Sequence, residues 1–168
     1  MSTFRYTGSQ ITTHWMSVLV ILFLLVTGSL VLADLPNTVE KIGNLRIHTI
    51  LGGLAALLVV VRMILKKRSP KPDTISGSKL ASAGHMALNI VVLFLVMSGV
   101  MLSLQSGAFD AIFGSGTLPE DFFDYIPRKI HGLLSRVAMG LLALHVLAAL
   151  YHQLFLKDGL VARMLPSK

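Results

Sequence analysis

Four long runs of apolar residues restrict the folds that this chain can adopt. They cover about residues 11–33, 47–65, 81–104 and 131–156. Each is close to the roughly 20 residues that a helix, rising about 1.5 Å per residue, needs to cross a hydrocarbon core of about 30 Å. A water-soluble domain of 168 residues has too little polar surface to cover four such helices. The runs therefore predict an all-α fold, a four-helix transmembrane bundle.

The composition agrees with a membrane protein. Hydrophobic residues make up 54% of the chain and charged residues only 14%, whereas about a quarter of a soluble domain is charged. The longest polar stretch, about residues 105–129, contains glycine, proline and aromatic residues and is predicted to fold as a cap over the bundle. One membrane domain, residues 1–168, accounts for the whole chain.

Basic residues accumulate on one side of the predicted bundle, the side that holds both termini. They are Arg5, Lys66, Lys67, Arg68, Lys71, Lys79, Lys157, Arg163 and Lys168. By the positive-inside rule, both termini face the cytoplasm and residues 105–129 lie outside. This topology explains most of the net charge of +7, which therefore gives no indication of nucleic-acid binding.

The chain contains no cysteine, which excludes disulfides, iron–sulfur clusters, thiolate-bound metals and covalent attachment of c-type haem. Redox chemistry would have to rest on imidazole or thioether ligands. Ionisable side chains are costly inside a membrane, so those placed there are candidate functional residues. All six histidines lie within or at the ends of the apolar runs: His14, His48, His85, His131, His145 and His152.

The spacing of the histidines in the fourth run suggests two stacked sites. His131 and His145 are 14 residues apart, which corresponds to about 40° around a helix and about 21 Å along it. His152, seven residues further, keeps the same face within about 20°. That geometry fits two haems stacked across a membrane, each with its second axial ligand on a neighbouring helix.

The second ligands follow from predicted depth. His48, at the outer end of the second run, lies level with His131, so the two can share one iron. His14, near the inner surface, can pair with His145, although helix rise alone matches it equally to His152. His85, at the inner end of the third run, is another possible partner for the inner site.

Two other ligand sets fit the sequence less well. A zinc site needs three or four close ligands, and no two histidines have the i, i+4 spacing that brings imidazoles together on one helical turn. Methionine can replace histidine on haem iron. Met97 and Met101, however, have a spacing that is typical of helix packing.

Cationic side chains lie near both predicted sites. Arg46 lies two residues before one candidate ligand, and Arg128 and Lys129 lie just before another. At an outer redox centre these cations would focus small anions, or they would bind haem propionates or lipid headgroups. Arg62 is placed to neutralise an inner haem propionate or to reach the membrane interface. Arg136 points about 140° away from the nearest candidate ligand and has no assigned role.

The sequence resembles the bacterial cytochrome b561 family, small four-helix di-haem proteins of the inner membrane. The resemblance covers nearly the whole chain and is clearest in "SQITTHW", "IHTILGG" and "HGLLSRVAMGLLALHVLAALYHQLFLKDGLVARMLP". It implies two b-type haems per chain and a multi-pass location in the bacterial inner membrane. The implied axial ligands are His14 with His145 for the inner haem, and His48 with His131 for the outer haem.

The resemblance also implies a function. Some family members are superoxide:quinone oxidoreductases, which take electrons from superoxide at the outer face and reduce ubiquinone in the membrane. For this chain the resemblance implies that His85 and His152 line a quinone or proton site. Arg46, Arg128 and Lys129 would steer the anion.

Two alternatives remain open at this stage. In one, the chain is a cytochrome b anchor subunit that passes electrons between quinone and a soluble dehydrogenase or hydrogenase, so that a redox protein and not superoxide is its partner. In the other, it is a non-redox membrane protein whose histidines carry protons or metal ions.

Overall fold

The architecture is that of a computed structural model, which describes residues 5–69 and 78–165. Lys71 and Lys168, used above for topology, lie outside the described residues. The described part contains five α-helices. They are α1 (Gly8–Thr27), α2 (Val39–Arg68), α3 (Ser78–Gln105), α4 (Ala108–Phe113) and α5 (Ile126–Tyr151). Short π-helical turns extend α1 over Gly28–Leu32 and α5 over His152–Leu156.

Four helical segments are long and apolar enough to cross a membrane: Gly8–Leu32, Val39–Arg68, Lys79–Gln105 and Ile126–Leu156. Their outward surfaces are apolar, with Leu19 and Leu30 each 69% exposed and Phe155 73% exposed. Such surfaces are stable against lipid chains and costly in water. The predicted all-α fold with four spanning helices is confirmed.

Local sequence signals explain where the helices begin. In α1 the Thr7 hydroxyl accepts a hydrogen bond from the Gln10 backbone N–H, and the Gln10 side chain accepts one from the Thr7 N–H, which forms a capping box. In α5 Pro127 occupies the first turn, where its missing N–H has no helical partner to lose. Both α2 and α5 begin several residues before the predicted apolar runs. Their first turns are helical but polar, so hydropathy alone does not include them in a membrane-spanning segment.

The spanning helices associate through small residues. α1 packs beside α2, α3 packs beside α5, and α2 joins the two pairs through α3. Residues buried where helices meet include Ser17, Ala55, Val59, Val92 and Ala138. Small side chains allow transmembrane helices to approach closely. Because so few large side chains fill the interior, the space around the histidines is not taken up by protein packing.

The connection between α3 and α5 folds into a compact unit, here called the cap (residues 106–125). Its apolar core consists of Ala108 and Ile112 of α4 together with Phe122 of a short 3-10 helix (Phe122–Asp124). Leu45 at the start of α2 packs against this core. The predicted folded cap is confirmed. We call this end of the bundle the cap end, and the end with α1's first turn the terminal end.

Hydrogen bonds fasten the cap to the start of α2. The Asn37 side-chain amide donates to the carbonyl oxygens of Pro119 (3.1 Å) and Glu120 (3.0 Å). The buried Lys41 ammonium donates to the Leu35 carbonyl (2.7 Å) and to Asn37 Oδ1 (2.9 Å). A buried ammonium is tolerated only when such partners are present, so Lys41 and Asn37 form a lock on the cap.

Candidate functional site

The structure brings His48 of α2 and His131 of α5 together near the cap end. Their ring centroids are 6.2 Å apart. His131 Nδ1 lies 3.0 Å from the Leu95 carbonyl oxygen, which can only accept, so Nδ1 carries the proton. The Nε2 lone pair of His131 is then free, which is the tautomer that binds iron. Ser98 Oγ also lies 3.0 Å from Nδ1 and donates to the Leu95 carbonyl (2.9 Å).

Two glycines that the sequence analysis did not single out make room for these rings. A Cβ built on Gly28 would lie 3.3 Å from His48 Cε1, and one on Gly99 would lie 3.4 Å from His131 Cε1. By contrast, a Cβ on Gly52 or Gly53, the glycines one turn beyond His48, would meet nothing within 4 Å. The close approaches come from the helix opposite each histidine, and only tertiary structure reveals them.

The second group of imidazoles lies toward the terminal end. The ring centroids of His14 and His145 are 6.5 Å apart, and those of His85 and His145 are 5.2 Å apart. All three histidines line one pocket together with Arg62 and Asn89. Arg62 therefore lies beside these histidines, and its role at a haem propionate stays a prediction. Asn89 adds a neutral polar group that the sequence analysis missed.

The two imidazole pairs have the spacing that haem ligation requires. An iron between two imidazole nitrogens, each at a typical metal–nitrogen distance of about 2 Å, puts the two ring centres roughly 6 Å apart. The pairs His48–His131 and His14–His145 meet this requirement, whereas His85–His145 is closer. Within the described residues, His14 Nδ1 and His48 Nδ1 are buried without a hydrogen-bond partner. The ring spacing of both pairs therefore fits a haem.

The predicted anion-steering residues are held in different ways. Arg46 Nε donates to the Ile112 carbonyl at the end of α4 (2.7 Å). The Arg128 guanidinium carbon lies 4.7 Å from the centre of the Phe123 ring. Lys129 is exposed on α5. Lys41, a further cation at this end to which the sequence analysis gave no role, lies 5.7 Å from the centre of the Phe122 ring.

His152 does not line the pocket of the other inner histidines. It follows α5 in a π-helical turn, and its Nδ1 lies 2.6 Å from Asp158 Oδ2. Lys157, between them, adopts a left-handed backbone (φ 51°) that turns the chain back. The hydrogen bond from His152 lowers the pKa of Asp158 below its ordinary value, and the charge of Arg163 acts in the same direction. The quinone or proton role of His85 and His152 stays a prediction.

The residues after this turn fold back onto α1. The Trp15 indole Nε1 donates to the Met164 carbonyl oxygen at 2.9 Å. Trp15 follows His14 directly, and the two rings meet edge to face with centroids 5.5 Å apart. The C-terminal segment therefore braces the part of α1 that carries His14. Trp15 and Met164 are 149 residues apart in the sequence, and no sequence pattern predicts their contact.

Comparison with known proteins identifies relatives along nearly the whole chain. The chain is 26% identical to the probable superoxide oxidase CybB of Yersinia pestis over 175 residues, which cover 98% of this chain and 97% of the relative. It is also 26% identical to cytochrome b561 homolog 1 of Escherichia coli (strain K12), over 98% of both chains. The identity to homolog 2 of that strain is 26% over 96% of this chain and 91% of the relative.

The family model for prokaryotic cytochrome b561 matches residues 5–167. A match of this extent, with four apolar helices, identifies a multi-pass protein of the bacterial inner membrane that binds b-type haem and transfers electrons. The chain therefore belongs to the prokaryotic cytochrome b561 family.

Proposed function

We propose that the protein carries electrons across the membrane between two b-type haems, one held by His48 and His131 and the other by His14 and His145. The observation that supports this most directly is the pair of ring spacings, 6.2 and 6.5 Å. His131 and His145 are 14 residues apart on α5, which separates the two sites by about 21 Å along the helix. Bound haem iron supplies the one-electron chemistry.

The proposed reaction is oxidation of superoxide at the cap end and reduction of ubiquinone in the membrane. Two superoxide anions each give up one electron and leave as O₂. Ubiquinone takes both electrons and two protons and becomes ubiquinol. The similarity to a probable superoxide oxidase supports this reaction, and so do the cations Arg46, Arg128 and Lys129, whose positive charge would attract a small anion.

The positions of the remaining polar residues suggest their roles in this reaction. His85 and Arg62 share the pocket of the second imidazole pair, where Arg62 would neutralise a haem propionate and His85 would hydrogen-bond the quinone. His152, hydrogen-bonded to the partly exposed Asp158, would deliver protons from water. The excess of basic residues at the terminal end supports an orientation with both termini in the cytoplasm and the cap outside.

Haem content tests the first part of the proposal. We expect two b-type haems per purified chain from the alkaline pyridine spectrum, and about one in His145→Ala and in His131→Ala, because each substitution removes one axial ligand. His152→Ala is the matched control and is expected to keep both. Haem-free wild-type protein would overturn the redox function. Two haems surviving in His145→Ala would move the ligand to His85 or His152.

Turnover tests the substrate. The purified chain in detergent, supplied with superoxide and a short-chain ubiquinone, is expected to form ubiquinol. Arg46→Gln is expected to lower kcat/KM several-fold and to weaken the dependence of kcat/KM on ionic strength. Lys67→Gln, a surface charge at the terminal end, serves as the control. A haem-loaded chain without superoxide turnover that co-purifies with a soluble redox protein would instead identify an anchor subunit.

A further inference from the structure

Two arginines lie on one stripe of α5 near the cap end. Arg128, Gly132 and Arg136 are spaced by four residues each, which spreads them over only about 80° of the helix surface. The Arg128 side chain lies along the helix, since a Cβ built on Gly132 would come within 3.2 Å of its Nη1. Arg128 therefore points across the bare glycine toward Arg136, and the two charges repel each other. We call these three residues the arginine notch.

The notch has no counterion of its own. Among residues 5–69 and 78–165, the one side-chain ion pair joins His152 and Asp158. Asp121 attracts Arg128 but forms no ion pair with it. The Phe123 ring covers one face of the Arg128 guanidinium, which leaves the N–H groups at its edges available for an acceptor. Two repelling guanidinium groups that share a gap favour an anion between them.

The depth of the arginine notch in the membrane determines which anion can reach it. The span Ile126–Leu156 has 31 residues, or about 46 Å of helix against a hydrocarbon core of about 30 Å. When the span is centred, about 8 Å projects at each end, so that Arg136 lies about 7 Å below the core boundary. A side chain as long as arginine reaches back to the headgroup layer from there.

The surroundings of the notch are lipid-facing. Leu133 and Met139, each three residues from Arg136 on α5, are 60% and 39% exposed, so that lipid chains and not water cover this surface. A second copy of the chain offers no carboxylate at the depth of Arg136, since all eight acidic residues lie outside the four apolar runs. Arg136 also points about 140° away from His131 and so away from a haem propionate. A phosphodiester group of the adjacent leaflet is the anion that remains, and guanidinium forks bind phosphate oxygens in pairs.

We propose that the arginine notch is a binding site for an anionic phospholipid in the leaflet at the cap end, with the phosphodiester held between Arg128 and Arg136 above Gly132. The lipid would replace the missing counterion and fix the helix that carries both His131 and His145. This site lies on the outer surface of α5 and shares Arg128 with the anion-steering cations proposed above, whereas Gly132 and Arg136 have no role in the proposed redox reaction.

Lipid retention tests the site. The haem-loaded protein is delipidated in detergent and titrated with phosphatidylglycerol or with zwitterionic phosphatidylcholine, and bound lipid is counted by native mass spectrometry. We expect one phosphatidylglycerol to bind more tightly than phosphatidylcholine, and its affinity to fall about tenfold in Arg136→Gln through loss of charge-assisted hydrogen bonds. Gly132→Ala is expected to act in the same direction, because its methyl group would displace Arg128.

Arg68→Gln is the matched control, an exposed arginine on α2 at the other end of the bundle. It is expected to bind phosphatidylglycerol as the wild type does. Equal binding of both lipids by the wild type, or unchanged binding by Arg136→Gln, would overturn the proposal. So would displacement of the lipid by millimolar inorganic phosphate, since the notch would then be a site for a free anion. Haem content, measured in parallel, checks that each variant is folded.

Discussion

At the scale of single residues, the two candidate ligands near the cap end differ in how they are held. His131 has its orientation and tautomer set by the Leu95 carbonyl and by Ser98. His48 has no such partner on its buried Nδ1 among the described residues and rests against Gly28 instead. Hydrogen bonds to the far side of a ligating imidazole tune both its basicity and its affinity for the metal. Substitutions around His131 are therefore expected to change haem binding more than substitutions around His48.

Ser98→Ala is expected to loosen the haem held by His131. The hydroxyl contributes a hydrogen bond beside Nδ1, and its loss should cost about 1 kcal/mol of haem affinity. The measurement is the rate at which haem passes to an excess of apomyoglobin. Ser103→Ala is the control on the same helix, since the buried Ser103 hydroxyl has no partner among the described residues. Equal haem loss from both variants would contradict the role of Ser98.

Asp158 makes a pH-dependent contribution to stability. The bond from His152 lowers the pKa of Asp158, so the folded state favours the carboxylate. Its stabilising effect is complete above the ordinary Asp pKa of about 3.9 and disappears as the pH falls through the lower folded-state value. We expect Asp158→Asn to melt below the wild type at neutral pH, with the difference closing in acid.

Thermal unfolding from about pH 3 to about pH 7 measures this difference. Asp34→Asn, an exposed carboxylate at the cap end, is the control and should melt close to the wild type. A difference in melting temperature between Asp158→Asn and the wild type that stays constant with pH would instead show that the substitution acts through altered packing and not through the charge of Asp158.

At the scale of elements, the cap depends on a few polar contacts with α2. Lys41 and Asn37 satisfy carbonyl oxygens on both sides of this contact, and Arg46 satisfies the last turn of α4. The apolar core of the cap is small, so these hydrogen bonds carry much of its order. The helix α2 begins at Val39 for the same reason, since its polar first two turns serve the cap and not the membrane.

Lys41→Met is expected to free the cap without unfolding the bundle. The substitution keeps the apolar stem and leaves the Leu35 carbonyl and the Asn37 side chain without their donor, which costs about 1–3 kcal/mol. Hydrogen exchange of residues 108–124 is expected to quicken about tenfold or more, while α3 and α5 stay protected. Lys129→Met, an exposed lysine, is the control. Unchanged exchange in the cap would contradict the proposed lock.

At the scale of the whole molecule, the lack of cysteine makes the orientation directly measurable. Ser115→Cys, exposed on the cap, is expected to react with a membrane-impermeant maleimide in cells whose outer membrane has been opened. Ser9→Cys, exposed at the start of α1, should react only after the inner membrane is broken. The opposite pattern would reverse the orientation and move the cap cations to the cytoplasmic side.

The sequence predicts the large features because they follow from hydropathy and helical spacing. Four apolar runs lead to four spanning helices, and the 14-residue interval between His131 and His145 leads to two stacked sites. Contacts between distant segments carry no such signal. The position of Gly28 against His48 and the bond of His131 to Leu95 depend on how helices pack, which one-dimensional periodicity does not encode. The pairing of His152 with Asp158 is local, but it depends on the left-handed turn at Lys157, which hydropathy does not predict.

The hydrogen bond from Trp15 to Met164 joins α1 to a residue that is synthesised 149 positions later. A ribosome adding about 5–20 residues per second needs on the order of 10 s to travel from one to the other. Throughout that interval α1 sits in the bilayer with a buried imidazole and an indole whose partners do not yet exist. Completion of the site at the terminal end therefore waits for the synthesis of Met164, and a chain that stops before this residue would leave α1 unbraced.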